Sequence, residues 1–173
     1  LGARNANLRV QLHYGQLELA DARAGDNREP EAVALTLSHV PADRIVGLEL
    51  GLNVAWDNVG IEDALLGETE YSACEFFAGA RAQYDAYRVK PYVAAGGTLL
   101  YANRTESLGL GGERSEDSLS VHPYIRAGAL LRVGDGFHVG IELRHVVGGE
   151  LDFGADAFDA DNEQLTFGIA FDV

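Results

Sequence analysis

Val46-Gly47-Leu48-Glu49-Leu50-Gly51-Leu52-Asn53-Val54-Ala55-Trp56 sets an apolar residue at every even number and glycine, alanine or a polar residue at every odd one. A repeat of two belongs to a β-strand, whose successive side chains leave on opposite faces. This strand therefore has one greasy face and one small or polar face. Outward from it, the same alternation predicts eight strands: roughly 7–20, 32–40, 44–57, 70–85, 88–104, 117–133, 137–148 and 163–173. No segment carries a sustained 3.6-residue repeat, so helices are not expected.

The connections alternate in length. Pro41-Ala42-Asp43, Asp85-Ala86-Tyr87 and Gly134-Asp135-Gly136 are short, the last a three-residue hairpin with glycine where a positive φ is expected. The segments 21–31, 58–69, 105–116 and 149–162 are long and polar. Short turns at one end and long loops at the other are the organisation of membrane-spanning β-barrels. An even strand count brings both termini to the short-turn side.

The greasy face carries Leu8, Leu12 and Tyr14, the even positions of Val46 to Trp56, Phe76, Val93, Leu99, Val121, Ile125, Ile141, Leu143, Leu165, Phe167 and Ile169, and no Asp, Glu, Lys or Arg. A charge facing lipid at mid-depth costs about 2–4 kcal/mol in a barrel, so this exclusion points the face at lipid. The opposite face carries Arg9, His13, Glu49, Glu75, Arg81, Lys90, His122, Arg126, Arg132, His138, Glu142 and Arg144, interleaved with glycines such as Gly47, Gly79, Gly128 and Gly168. The interior of an eight-stranded barrel is just wide enough for side chains, so long charged residues there need very small neighbours. Trp56 and Tyr101 toward the long loops, and Tyr84, Phe137 and Phe171 toward the short turns, would form two interfacial girdles. The alternative is a soluble lipocalin-like barrel with the apolar face inside, lining a cavity for a hydrophobic ligand. Glycine strewn along solvent-facing strand positions would only weaken such a barrel.

The 173 residues fit one domain, 1–173. A net charge of −14 argues against nucleic acid, whose phosphates demand a basic surface. A single cysteine, Cys74, rules out an intrachain disulfide and a thiolate metal cluster. No run of 18 apolar residues exists, so no transmembrane helix is expected; barrel strands leave a much weaker hydropathy signal. Methionine is absent, and Leu1 is expected to follow a removed secretory signal. One internal similarity stands out: Val89-Lys90-Pro91-Tyr92 to Gly96 matches Val121-His122-Pro123-Tyr124 to Gly128. Proline removes a ladder donor, so both prolines are expected near strand ends.

At the C-terminus, Thr166-Phe167-Gly168-Ile169-Ala170-Phe171-Asp172-Val173 resembles the assembly signal of bacterial outer-membrane proteins, with Gly168, Phe171 and Val173 at its defining positions. The last residue departs from the pattern, where an aromatic is commoner. With the two Pro-Tyr-x-x-x-Gly strands and the count of eight, the whole chain resembles the small OmpA-like and OmpX-like barrel superfamily. That resemblance implies a Gram-negative outer membrane, loops facing outward, and recognition by the barrel assembly machinery. It implies a fold and a compartment, and no particular activity.

Charges in a narrow lumen must be paired, since an isolated buried one is too costly. If Val133 pairs with Phe137 across the tight turn, Arg132 faces His138, Gly128 faces Glu142 and Arg126 faces Arg144, with Glu142 diagonally beside both arginines. Glu49, Glu75, Arg81, Arg126, Glu142 and Arg144 are thus expected to form an interior ion-pair network that fills the lumen; a gated pore is the alternative. Ser120 and His122 share the inward face, and with Glu75 would imitate a Ser-His-acid hydrolase. Residues two apart on a strand aim in parallel, however, and an inward site needs an opening in the wall to reach lipid. An enzyme is therefore not expected.

Acids crowd the last loop: Asp156, Asp159, Asp161 and Glu163 are the candidates for a divalent cation, with bridging to lipopolysaccharide phosphates as a minor role. A solvated acidic loop is the simpler reading, and no cofactor is expected. The sequence therefore points to an all-β, eight-stranded antiparallel up-and-down transmembrane barrel. Its expected role is structural or interactive, displaying loops 21–31, 58–69, 105–116 and 149–162 to a partner, with outer-membrane lipid around it.

Overall fold

The structure, a computed structural model, describes residues 7–19, 30–57, 69–85, 88–108, 112–148, 150–153, 156–159 and 161–173. Its strands are β1 (Asn7–Leu19), β2 (Glu31–Val40), β3 (Val46–Asp57), β4 (Thr69–Gln83), β5 (Val89–Leu108), β6 (Gly112–Arg132), β7 (Phe137–Val146), β8 (Glu150–Phe153), β9 (Asp156–Asp159) and β10 (Asn162–Asp172). Eight of them close a barrel in the order β1-β10-β7-β6-β5-β4-β3-β2, each neighbour antiparallel. Closure comes from β1 on β10, with Leu12 opposite Ile169 and His13 opposite Gly168. A closed barrel leaves no sheet edge across the membrane-facing band, the requirement for strands surrounded by lipid.

Polarity is distributed as the alternation demands. Leu48, Leu50, Phe76, Val93, Ile125, Leu143 and Phe167 stand exposed on the outer surface, whereas Arg81, Arg126, Arg144, Glu49, Glu75 and Glu142 are buried. On the outer face, Glu31 and Glu163 stand at the starts of β2 and β10, clear of the apolar band. The barrel carries its ion-pair network inside and most of its large apolar side chains outside, so the soluble arrangement with an apolar cavity is not the one adopted.

Two of the short turns lie where they were expected, and most of the third, Asp85-Ala86-Tyr87, falls outside the described residues. Arg44 N–H closes on the Pro41 carbonyl at 3.0 Å, and Val133 N–H on that of Phe137 at 3.1 Å. Gly136 takes φ +70°, the left-handed region that a side chain disfavours.

Two long segments differ from expectation. The predicted loop 105–116 is mostly ladder: Thr105 pairs with Ser115 and Leu108 with Gly112, so only 109–111 falls between β5 and β6. Thr105, Glu106 and Ser107 on one strand and Glu113, Arg114 and Ser115 on the other are polar at odd and even numbers alike. Hydropathy alternation had nothing to report there, although backbone pairing continues. Within 149–162, β8 and β9 pair as a separate small hairpin, Glu150 with Asp159 and Phe153 with Asp156. The predicted loops 21–31 and 58–69 fall almost entirely outside the described residues. Other strand boundaries move by one or two residues.

Pro91 lies near the start of β5, but Pro123 sits inside β6 rather than near its end. Its missing donor costs nothing, for a geometric reason. The Pro123 carbonyl accepts from Val147 N–H at 2.9 Å, just past the last residue of β7. The proline thus turns its donor-less side toward the point where its neighbour strand ends. Pro91 does likewise, its carbonyl meeting Tyr84 N–H one residue beyond β4.

Candidate functional site

The lumen is built by an exchange between glycines and aromatics. A Cβ on Gly128 would sit 2.6 Å from the Tyr92 ring, and one on Gly79 would sit 2.5 Å from the Tyr124 hydroxyl. Phe77 occupies the space over Gly51 in the same way, 2.4 Å from where a Cβ would be. Each ring has room only because a glycine stands beneath it: Tyr92 and Phe77 over the adjacent strand, and Tyr124 past Gly96 on β5 to Gly79 on β4. These rings bring hydroxyls and π-faces to the centre of the barrel.

Around them the six predicted ionisable residues converge. Arg126 donates from Nη2 to Glu49 at 2.6 Å and from Nη1 to Glu142 at 3.2 Å. Tyr92 and Tyr124 supply second donors to these carboxylates, Tyr92 to Glu142 at 2.5 Å and Tyr124 to Glu49 at 2.9 Å. Arg81 donates to Gln11 at 2.6 Å, stands 3.7 Å from Glu49, and lies 3.6 Å above the Tyr92 ring. One layer further out, Arg144 grips Glu75 with both Nη atoms, at 2.7 and 2.6 Å. Thr98 and Asn53 also donate to Glu75, at 2.7 and 3.1 Å. Phe77 separates the layers, 5.1 Å from the Arg126 guanidinium and 5.2 Å from that of Arg144.

The register across the last tight turn is the expected one: Arg132 opposite His138, Gly128 opposite Glu142, Arg126 opposite Arg144. Glu142 takes Arg126, but Arg144 turns away across the lumen to Glu75, where a two-pronged contact is open. Arg132 stands at the mouth, half exposed, bound to Asp135 at 2.9 Å.

At the short-turn end, Arg9 holds Asp172 at 2.6 Å, and Lys90 stands 3.5 Å from Asp85 and 3.6 Å from Asp172. They line a vestibule of about 800 Å³ together with Ser38, Arg44, Gln83 and Arg132.

The outer rim holds a contact that parity arguments dismissed. His122 Nε2 lies 2.6 Å from Ser120 Oγ, and its Nδ1 lies 2.8 Å from the Gly148 carbonyl. Parallel Cβ directions did not keep them apart, because the ring turns back along its own strand. Glu75 is not their third member; it is committed to Arg144.

The remaining predicted residues are dispersed. Tyr84 and Tyr101 are exposed outward, and Phe137 packs on Phe171 with centroids 5.0 Å apart. Trp56 lies opposite Glu31 at the outer end of β3. Gly168 packs against His13, and Val173 closes the last strand with its N–H on the Leu8 carbonyl at 2.8 Å. Among the cation candidates, Asp161 accepts from Gly148 N–H and Glu163 stands 3.6 Å from His145. Asp156 and Asp159 lie on β9, their side chains outside the described part. Among the described residues no three His, Cys, Asp or Glu side chains gather to hold a metal ion.

Sequence reasoning missed Phe77, Tyr92 and Tyr124 as lumen residues because it followed charge. The signal was available: both Pro-Tyr motifs put tyrosine on the inward parity, two residues beyond Lys90 and His122.

No family model matches the chain, and no curated protein sequence does. Solved structures do. Neisserial surface protein A superposes with a TM-score of 0.73 at 14% identity, over 96% of this chain and 97% of that one. Ail, the attachment invasion locus protein of Yersinia pestis, in complex with the heparin analogue sucrose octasulfate, gives 0.68 at 14% identity, over 97% and 99%. The outer membrane enzyme PagL gives 0.52 at 14% identity, over 95% and 99%. At such identities the likeness speaks for the fold alone, and the fold is that of the small eight-stranded outer-membrane barrels.

Proposed function

We propose that this chain spans a bacterial outer membrane as a rigid, occluded barrel and displays an acidic outer end to a partner. The observation that carries the reading is the filling of the lumen. Three guanidiniums and three carboxylates are buried between Arg81 and Glu75, cross-linked by tyrosine hydroxyls. Such a core makes a stable post and a poor conduit, since an ion crossing it would have to break pairs whose loss is costly. Gly168, Phe171 and Val173 would be read by the barrel assembly machinery.

The net charge of −14 against a charge-balanced lumen supports a reading in which the excess acidity lies outside the membrane band. Ail is described with a polyanion, a sulfated sugar. This chain has the opposite bias, and a cationic peptide or a cation-bridged lipopolysaccharide phosphate fits it better. The vestibule at Arg9 and Lys90 favours a second reading, a pore whose inner half is already open.

Planar-bilayer recording on the purified, refolded barrel separates the two. The occluded post gives no steady conductance; a persistent open level would replace it with the pore. Binding of the same barrel to polylysine should weaken when Asp152, Asp156 and Asp159 are changed to Asn, and undiminished binding would remove the acidic-partner reading.

A further inference from the structure

We propose that the vestibule at the short-turn end binds a phosphorylated organic molecule, its phosphoryl group seated at Arg9 and Lys90. The floor of this vestibule carries more positive charge than it neutralises. Arg9 and Lys90 are both buried and share one part-buried carboxylate, Asp172, 2.6 Å from Arg9 Nε and 3.6 Å from Lys90 Nζ. The next acid, Asp85, stands 3.5 Å from Lys90 but is 54% exposed, so water screens it. Deeper in the barrel Arg81, Arg126 and Arg144 are matched by Glu49, Glu75 and Glu142, and nothing from that side cancels the surplus. A buried charge without a full partner is costly, and an entering anion relieves it.

Hydrogen bonding shows the same shortage of acceptors. Arg9 commits Nε to Asp172 and Nη1 to Gln83, at 2.6 Å each, which fixes the guanidinium and leaves Nη2 without a partner among the described residues. Lys90 stands beyond good hydrogen-bonding distance of both its carboxylates, so its ammonium protons remain to be taken. Behind them His138 is wholly buried, with neither ring nitrogen hydrogen-bonded among the described residues and Nε2 3.9 Å from Asp172. Gln83 cannot make up the deficit. Its oxygen already accepts from Arg9 and Arg81, and its amide donates to Asp85 at 3.0 Å.

Geometry and size choose the anion. Arg9 lies on β1, Lys90 on β5, Arg132 at the end of β6 and Arg44 in the turn after β2, so cations line the vestibule from four separate elements. A phosphoryl group presents three strong acceptor oxygens that do not share a plane with one another and phosphorus, and so meets donors from several sides; a carboxylate presents two in one plane. Four of the chain's 13 Lys and Arg line this mouth against three of its 27 Asp and Glu, a local reversal of the overall acidity. At about 800 Å³ the space is larger than an inorganic ion needs and falls among sites for small organic molecules. Val40, Pro41, Ile45 and Tyr84 supply an apolar side for the organic part.

The mouth is accessible, since Asp43, Arg44, Ile45, Tyr84 and Asp85 along its rim are exposed. Tyr84 also faces outward here, so on the outer-membrane reading the vestibule adjoins the lipid headgroup layer as well as water. A lipid headgroup and a soluble phosphate ester are therefore the two sources of the same chemistry. Only the lipid source rests on the outer-membrane reading; the site rests on the barrel alone.

The test titrates phenyl phosphate into the barrel refolded in a neutral sugar detergent, with binding read from the phosphorus NMR linewidth. One saturable site is expected, weakened at least about tenfold in Lys90→Gln and in Arg44→Glu, as for the loss of a hydrogen bond to a charged group. Arg44 is exposed in a turn, so its variant decides alone if Lys90→Gln does not fold. Wild-type binding in either variant that still shifts on boiling overturns the site. Benzoate bound as tightly as phenyl phosphate overturns the phosphoryl choice, and inorganic phosphate bound as tightly removes the organic part. Native mass spectrometry reads the lipid arm. One phosphatidylglycerol retained by the wild type and lost from the variants assigns a headgroup; phenyl phosphate that this lipid does not displace assigns a soluble ester. If neither ligand binds, the proposal falls. The shift on boiling reads the barrel and the titration reads the site, so the two fail separately.

Discussion

Tyr92 on β5 and Glu142 on β7 are separated by a whole strand, yet the phenol donates to the carboxylate at 2.5 Å. The intervening residue on β6 is Gly128, opposite Tyr92 on one side and Glu142 on the other. Nothing projects from it, so the ring spans it. The relationship shows how a barrel this narrow holds a buried network: glycine supplies the route, and the aromatic hydroxyl supplies the reach.

Gly128→Ala therefore closes that route. Its Cβ would meet the Tyr92 ring at 2.6 Å and the Ile141 backbone oxygen at 2.7 Å, and the backbone cannot easily yield. A cost of about 1–3 kcal/mol is expected, as for other overpacked sites. Gly97→Ala is the control, since a Cβ there meets nothing within 4 Å. Urea unfolding of both variants in lipid vesicles checks it, and equal midpoints would mean that the glycines have another purpose.

The buried cation makes a larger prediction. Arg126→Met strips Glu49 and Glu142 of their shared partner and leaves two carboxylates in a closed lumen. Breaking a buried pair costs about 3–5 kcal/mol, because an uncompensated charge remains. The same change combined with Glu49→Gln and Glu142→Gln removes those charges as well and should recover most of the loss. A triple variant as unstable as the single one would show that Arg126 acts through packing on Phe77 rather than through charge.

How much of this was legible in the sequence depends on which force left a periodic trace. Where lipid meets one face and packed charge the other, as along Val46 to Trp56, alternation gives strand, face and register together. Between Thr105 and Ser115 polar residues take odd and even numbers alike, so the ladder persists without a hydropathy signal. The lumen was legible as a set of residues and less so as a set of pairs. Parity puts Arg144 inside, but its choice of Glu75 over Glu142 is made by side-chain reach across a closed cylinder, which no linear pattern encodes. The Ser120–His122 contact hinges on rotation of one ring, which no alternation pattern encodes.

The belt itself can be tested at one residue. Leu50 is more than half exposed at the middle of β3, opposite Leu37 and Ala78. On a water-facing strand Leu50→Arg would change stability little. Facing lipid near mid-depth, it should cost about 2–4 kcal/mol in vesicles. A change under about 0.5 kcal/mol would place Leu50 in water and undo the membrane assignment.

Two carboxylates give the last contrast. Glu75 and Glu163 each stand beside a basic side chain, Arg144 at 2.6 Å and His145 at 3.6 Å. Glu163 is 63% exposed, so water and salt screen it, and Glu163→Gln should cost no more than about 1 kcal/mol. Glu75→Gln leaves the Arg144 guanidinium buried with a neutral amide and turns into a donor one of the two oxygens that accept from Thr98 and Asn53. A loss of about 3–5 kcal/mol is expected there, nearly insensitive to salt. Unfolding midpoints for both variants at low and high salt decide it. If Glu75→Gln weakens the barrel only at low salt, the lumen is wet and screened, and the occluded post gives way to a hydrated channel.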